Sequence, residues 1–205
     1  MHKHGHANSA DRDKHGNPHD MAAYLARLES PDRASWQMPD KVVAALALRA
    51  GQTVADIGAG PGYFSLPMAG KVGRTGRVFA VDVEPAMLTV LRDRVEAAKM
   101  VSVTPVLGTA GDPLLPPASC DRVLLVNAYH HLPDGPAALR RLARLLKRGG
   151  RLALIDFHRR ETPVGPPPEE RVAREQLLRD VKRAGLRVAT EFDFLPHQYF
   201  FLLRQ

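Results

Sequence analysis

Hydrophobic positions change their spacing several times along this chain, and each change predicts an element. The run D-M-A-A-Y-L-A-R-L-E-S from Asp20 to Ser30 has helical spacing. Asp20 can cap that helix and Pro31 would stop it. Pro39 to Arg49 reads as a second helix, with Pro39 at a first position where no N–H is needed. After Gly51 the pattern becomes that of buried strands alternating with helices. T-V-A-D-I (53–57), G-R-V-F-A-V-D (76–82), V-S-V-T-P-V-L (101–107), D-R-V-L-L-V-N (121–127) and R-L-A-L-I-D-F (151–157) are short apolar runs bounded by turn residues. Such runs are the mark of strands covered on both faces. Pro105 confines the third run to a sheet edge. Between them, 62–71, 85–99 and 134–147 carry helical spacing. Met87, Leu88, Leu91 and Val95 share one face of the middle helix, and Leu139, Leu142, Leu145 and Leu146 one face of the last, opposite Arg140, Arg141 and Arg144. A turn at Gly149–Gly150 precedes the fifth strand. A Pro-rich loop (159–168), a helix (169–184) and two strands (186–195 and 197–204) complete the pattern. A turn as short as Leu195–Pro196 requires that the last two strands pair antiparallel.

Strand–helix alternation predicts parallel strands joined by right-handed crossovers, hence an α/β chain folded as a three-layer α/β/α sandwich. The 205 residues are 44% apolar and 25% charged, which suits one globular domain and neither a disordered nor a fibrous chain. Residues 1–19 contain five histidines and few apolar groups, so they predict a flexible tail ahead of one domain at 20–205. His2, His4, His6, His15 and His19 could also chelate a metal. No apolar run is long enough to span a membrane, and the first residues lack the apolar centre of a secretory signal. The single Cys120 excludes an internal disulfide framework and a multi-cysteine zinc site. The expected setting is the cytoplasm.

Charge adds one question. The 29 Lys and Arg residues against 22 Asp and Glu give a net charge of +7, of which +6 comes from residue 121 onward, where 16 basic residues face 10 acidic ones. A basic excess admits a nucleic-acid partner. The leucine spacing favours a solvated helix face for most of these arginines.

The chemistry concentrates in V-A-D-I-G-A-G-P-G-Y-F, residues 54–64, with the pattern D-x-G-x-G-x-G formed by Asp56, Gly58, Gly60 and Gly62. Glycines let the chain turn sharply and bare its backbone to a ligand, and a helix beginning near Gly62 would turn its N–H groups and positive dipole end toward it. The dinucleotide fingerprint needs glycine at 63, where this chain has Tyr63. Asp56 would repel a pyrophosphate and attract a cationic amine. Asp82 ends the second strand 20 residues after Gly62, where an acid can accept hydrogen bonds from both hydroxyls of an adenosine ribose. A helix cap ahead of Pro85 is the plainer role for Asp82. Together Asp56, Asp82 and the absent third glycine favour S-adenosylmethionine over a nicotinamide nucleotide.

Residues 38 to about 157 resemble a class I S-adenosylmethionine-dependent methyltransferase of the broad group that includes the ubiquinone/menaquinone C-methyltransferases. The matching stretches are the glycine segment, V-F-A-V-D-V-E-P-A-M, G-T-A-G-D-P-L-L-P-P-A-S-C-D and N-A-Y-H-H-L-P-D, in order and at matching spacings. The resemblance implies a Rossmann-like, mostly parallel seven-stranded sheet with an antiparallel last strand. It implies that Asp56, Gly58, Ala59, Gly60, Gly62 and Tyr63 hold the methionine part of the cofactor, and that Asp82 holds the ribose with Val83 and Met87 beside the adenine. Thr109 and Ala110 would sit near the adenine amine, with Thr109 where the group often has an acid. Asn127 and Ala128 would line the floor near the sulfonium. N-terminal helices (20–50), carrying Tyr24 and Trp36, would cover the cofactor.

Methyl transfer needs an aligned acceptor and, for a hydroxyl or acidic carbon, a base. His158 is the preferred candidate, with His130 and Tyr129 beside it; His131 reads as packing. Trp36, His197 and Tyr199 are expected to wall the acceptor, and the P-V-G-P-P-P loop (163–168) to form its rim. The expected function is methyl transfer to a small molecule, with release of S-adenosylhomocysteine. The competing readings are an RNA methyltransferase and a non-catalytic S-adenosylmethionine- or metal-binding protein of the same fold.

Overall fold

The computed structural model describes residues 20–205; the histidine-rich segment 1–19 lies outside the described residues. Three short helices come first: α1 (Met21–Leu28), α2 (Arg33–Gln37) and α3 (Pro39–Ala45). Then follow β1 (Thr53–Ile57), α4 (Ser65–Val72), β2 (Arg77–Asp82), α5 (Pro85–Ala97), β3 (Val103–Leu107) and β4 (Cys120–Val126). The remaining elements are α6 (Gly135–Arg144), β5 (Leu146–Phe157), α7 (Arg174–Arg183), β6 (Arg187–Phe192) and β7 (Gln198–Arg204).

The strands form one seven-stranded sheet in the order β3-β2-β1-β4-β5-β7-β6. Pairings from β3 through β5 are parallel, and β7 runs antiparallel to both β5 and β6. β3, with Pro105, is an edge strand, as a residue without an N–H requires. Helices cover both faces. Val42, Val43, Met68, Val72, Leu88 and Leu91 of α3, α4 and α5 pack on one face against Val54, Val78, Leu124 and Ile155. Leu139, Leu142, Leu177 and Val181 of α6 and α7 pack on the other against Val123, Leu125, Leu152 and Leu154. Each strand sends alternate side chains to the two cores, which is why the central strands read as unbroken apolar runs.

Local caps follow the sequence. The Asp20 carboxylate accepts from Ala23 N at 3.0 Å, and Asp134 accepts from Ala137 N at 2.9 Å. Boundaries differ where the chain has tertiary business. α2 has no counterpart in the sequence reading. α3 ends at Ala45 rather than Arg49 because Ala47 takes a left-handed φ of 48°. α4 begins at Ser65, since residues 58–64 form the glycine turn instead of a first helical turn. The Gly149–Gly150 turn is absorbed as an irregularity within β5, with Gly149 at φ 79°. α7 begins at Arg174 rather than at 169. Arg171, 4% exposed, sends its guanidinium to the carbonyls of Pro166 (2.6 Å), Arg160 (2.7 Å), His158 (3.0 Å) and Val164 (3.2 Å), and this holds residues 171–173 extended. Among the described residues no helix is long and apolar enough to cross a membrane, and no three His, Cys, Asp or Glu side chains gather as metal ligands.

Candidate active site

In open α/β sheets the usable crevice lies beyond the carboxyl ends of strands, where neighbouring strands connect in opposite directions. Here that place is the end of β1, flanked by β2 and β4. A cavity of about 270 Å³ lies there. Its walls are Ile57 to Pro61 after β1, Val81 to Val83 at the end of β2, Thr109 to Pro113 after β3, and Leu125 to Ala128 at the end of β4. Tyr24 and Leu28 of α1 and Arg33 of α2 close it from the N-terminal side. Met87 of α5, and His131, Leu132 and Pro133 ahead of α6, complete the lining.

The turn after β1 needs its glycines for different reasons. Gly58 has φ 73°, and a Cβ there would come within 2.9 Å of the Ala128 Cβ. That glycine therefore lets the β1 turn approach the β4 turn across the cavity floor. Gly62 has φ 93°, and a Cβ there would meet Leu91 Cδ1 at 2.5 Å. Gly62 thus serves the seating of the turn on α5 and does not line the cavity.

Asp82 stands in the wall, 9% exposed. Its carboxylate accepts from Gly60 N at 2.7 Å and from Glu84 N at 3.0 Å, which ties β2 to the glycine turn. Burial raises its pKa, and these backbone bonds oppose the rise. The cap of α5 is Glu84, whose side chain accepts from Ala86 N. Val83, Met87, Thr109, Ala110, Asn127 and Ala128 all line the cavity, as do Gly58, Ala59 and Gly60. The Thr109 hydroxyl donates to the Asp112 carbonyl at 3.3 Å, which leaves its oxygen able to accept from a ligand.

Other expected residues stand elsewhere. Asp56 is 2% exposed and turned away from the cavity; its carboxylate accepts from the Ser65 hydroxyl at 2.6 Å. Burial pushes its pKa up to about 7, against the Ser65 bond and with the charge of Asp82. Asp56 is not among the residues that line the cavity. Tyr63 lies outside the lining, beneath the Arg33 guanidinium, with its hydroxyl buried and without a hydrogen bond. Tyr129 points into the α6–α7 side of the core, where its hydroxyl donates to Asp180 at 2.9 Å and burial raises its pKa. It is a packing residue by position. Tyr199 is 2% exposed, with its hydroxyl directed at the Val172 carbonyl at 3.4 Å, so it offers a buried wall and no polar group to an acceptor.

The histidines form a second cluster at the carboxyl end of β5. His130 donates its backbone N–H to Asp156 Oδ2 at 3.2 Å, and its Nδ1 lies 2.9 Å from Oδ1. Both side chains are almost wholly buried, at 5% and 1% exposed. The His131 ring, 4.1 Å from that of His130, belongs to the cavity lining. His158 N donates to the His197 carbonyl at 3.0 Å, and its ring stands edge-on to Tyr199. Burial lowers the His158 pKa, with Arg160 and Arg174 acting in the same direction. Trp36 packs on Phe157 at 5.7 Å between ring centres. His130, His158, His197 and Trp36 do not line the cavity.

Sequence reading missed a ring of three amides. Gln37 Nε2 donates to Gln198 Oε1 at 3.0 Å, Gln198 Nε2 donates to Asn127 Oδ1, and Asn127 Nδ2 donates to Gln37 Oε1 at 3.1 Å. Gln37 and Gln198 are fully buried, and Asn127 adopts φ 54°, a left-handed value that Asn tolerates. The ring joins α2 to the cavity floor.

Comparison with known proteins agrees with this geometry. Residues 54–150 match a family described as "Methyltransferase domain". The chain is 35% identical over 120 residues to a ubiquinone/menaquinone biosynthesis C-methyltransferase of Chromobacterium violaceum, covering 58% of this chain and 48% of that one. It is 34% identical over 121 residues to a 2-phytyl-1,4-naphtoquinone methyltransferase of Synechococcus elongatus, covering 58% of this chain and 51% of the relative. The chain thus spans about half the length of the curated relatives it matches. A crystal structure of a SAM dependent methyltransferase from Aquifex aeolicus superimposes with a TM-score of 0.83 at 26% identity, over 88% of this chain and 96% of that one. With the seven-stranded order, the glycine turn and Asp82 at the end of β2, these matches identify residues 54–150 as similar to a methyltransferase domain and give the chain the fold of a SAM dependent methyltransferase.

Proposed function

We propose that the protein transfers a methyl group from S-adenosylmethionine to a small aromatic hydroxy compound. The observation that carries the reading is the buried Asp82 carboxylate in the wall of a cavity whose floor is bare glycine backbone. Asp82 accepts from the backbone N–H groups of Gly60 and Glu84, one at each oxygen, with Val83 adding a third, and a carboxylate has a further lone pair for a ribose hydroxyl. Val83 and Met87 offer an apolar slot for the adenine, and the Thr109 oxygen an acceptor for its amine. When bound, S-adenosylmethionine supplies an electrophilic methyl group on a sulfonium leaving group. The acceptor class rests on the curated relatives, which are named as quinone methyltransferases.

On the acceptor side, His130 is the residue we assign to proton removal. A neutral His130 whose Nδ1 donates to Asp156 carries its lone pair on Nε2, and Nε2 has no hydrogen bond among the described residues. Its neighbour His131 lines the cavity, which sets the base one ring from the floor. Trp36, Phe157 and His158 form the wall beyond, and the Arg171-clamped loop its rim. A cytoplasmic setting fits Cys120, a free thiol buried in the core.

Calorimetry with S-adenosylhomocysteine tests the cofactor reading. Wild type should bind, and Asp82→Ala should bind roughly 10-fold or more weaker, the loss of charge-assisted bonds to a diol. No binding by wild type, or undiminished binding by the variant, refutes the assignment. Labelled methyl donor with a cell metabolite extract then identifies the product.

A further inference from the structure

α1 buries none of its residues, and the residue α2 buries is a polar one, Gln37 at 0% exposed. α2 is five residues long, Asp32 gives it no side-chain cap, and Met38 ends it at a left-handed φ of 44°. A helix that short has no stability of its own. Its seat over the site is therefore set by what its side chains meet. Arg33 at its start rests on the Tyr63 ring. The Glu29–Arg94 ion pair, which ties the end of α1 to α5, is well exposed to solvent and holds little.

The last two residues of α2 land on a cross-strand pair. Phe157 of β5 and Gln198 of β7 stand opposite one another in register. Trp36 packs on Phe157, with ring centres 5.7 Å apart, and Gln37 donates to Gln198 at 3.0 Å. Gln198 donates to Asn127, and Asn127 donates back to Gln37 at 3.1 Å. Every member of this ring both donates and accepts, so removing one leaves the other two amides each short of a partner. Asn127 is the member that lines the cavity. Its φ of 54° is a sparsely populated backbone value that the surrounding bonds must hold. One of them runs from its backbone N–H to the Ile155 carbonyl at 2.9 Å, and the others are those of the amide ring. A continuous polar link thus joins the cavity floor to the helix that carries Trp36.

We propose that this ring couples the two halves of the site. Cofactor in the cavity settles Asn127, the ring passes that constraint to Gln37, and α2 then seats Trp36 firmly on Phe157. The acceptor wall is completed only once the cofactor is in place, so the cofactor binds first. Gln37 and Gln198 do not line the cavity and are positioning residues, acting through Asn127 and Trp36. This rests on the S-adenosylmethionine reading and deepens it.

Trp36 is the chain's single tryptophan, so its fluorescence reports on α2 alone. The test is acrylamide quenching of that fluorescence with and without saturating S-adenosylhomocysteine, beside calorimetry with the same probe. The proteins are wild type, Gln37→Met, Gln198→Met and the double variant, each checked for folding by thermal unfolding. In wild type the ligand should lower the quenching constant by about twofold or more, as a population shift toward the seated cover. Each single variant should lose that ligand-dependent protection and bind the probe roughly 2- to 10-fold weaker, the worth of one buried neutral hydrogen bond, since coupling is reciprocal. The double variant should match the single ones within about twofold, because the ring is broken once. Gln198→Met is the decisive change, since residue 198 lies on a different element from Trp36. If one variant fails to fold, the other and the wild-type comparison still decide. Wild type that binds the probe with unchanged quenching overturns the proposal, and so does a variant that keeps the full protection. A folded variant that no longer binds at all overturns it too, since the ring then builds the cavity and couples nothing. Failure of wild type to bind the probe refutes instead the cofactor reading on which the proposal rests.

Discussion

Asp56→Asn should make the protein more stable, and by an amount that grows with pH. The carboxyl is 2% exposed, its contact with solvent replaced by one hydrogen bond from Ser65. Burial raises its pKa from 3.8 to about 7. An unfolded chain releases this proton near pH 4, while the native state keeps it to near pH 7. Between those values the native state binds more protons than the unfolded one, so stability falls as pH rises through the window. It is fully present below pH 4 and lost by the time pH passes 7. At ~1.36 kcal/mol per unit, a rise of about three units corresponds to roughly 4 kcal/mol in all, of which about 3 kcal/mol falls between pH 5 and pH 8. Full burial means that solvent screening takes little from this figure. Asparagine has nearly the same shape, can accept from Ser65 through its carbonyl oxygen, and has no proton to lose. Urea unfolding of both proteins at each pH from 5 to 8 gives the difference directly. The advantage of the variant should widen by about 3 kcal/mol over that range and level off above pH 7. A difference that stays flat with pH would show that Asp56 titrates as an ordinary carboxylate and that its burial is compensated by groups not identified in its surroundings.

Two further changes probe the scaffold around the site. Arg171→Lys should lower stability by about 2–3 kcal/mol, because an ammonium cannot reach the four carbonyls that the guanidinium gathers; thermal unfolding measures it, and a loss under about 0.5 kcal/mol would show that the loop at 158–166 is held by its prolines instead. Gly135→Ala places a Cβ 2.1 Å from the Tyr129 hydroxyl and should displace that ring from Asp180. The expected cost is about 3 kcal/mol of overpacking and lost hydrogen bonding, read by urea unfolding, and a wild-type midpoint would show that the α6 start yields instead of the ring.

Much of this architecture was legible because its signals are local. Pro105 marked an edge strand, and β3 is one. Glycine spacing and Asp82 marked the cavity wall, since a tight turn after a strand and an acid at the next strand's end are read from a few neighbouring residues. Asp56 and Gly62 carried the same signal but point away from the cavity, because a motif fixes which backbone positions meet and not which way each side chain turns. Tyr129 looked chemical for its place after β4; only the position of α7 reveals that Asp180 claims its hydroxyl. Asn127 was legible as a floor residue, but its ring with Gln37 and Gln198 was not, because Gln37 and Gln198 stand 161 positions apart and are brought together by the sheet order. Arg33 was invisible for a related reason: α2 is five residues long, with no periodicity from which to infer it.

The end of β5 shows how far the site depends on strand register. Asp156 lies opposite Tyr199, and Phe157 lies opposite Gln198. Alternation sends Asp156 and Tyr199 to the side of α6 and α7, where the carboxylate meets His130 and the ring meets His158. It sends Phe157 and Gln198 to the other side, where α2 supplies Trp36 to the first and Gln37 to the second. Two successive residues of one strand thus meet His130 on one face and the α2 cover on the other. A slip of one residue between β5 and β7 would exchange these faces, setting Gln198 and Tyr199 each toward the other's partner. The antiparallel pairing of β7 is therefore what allows His130 and the amide ring to coexist at one strand end.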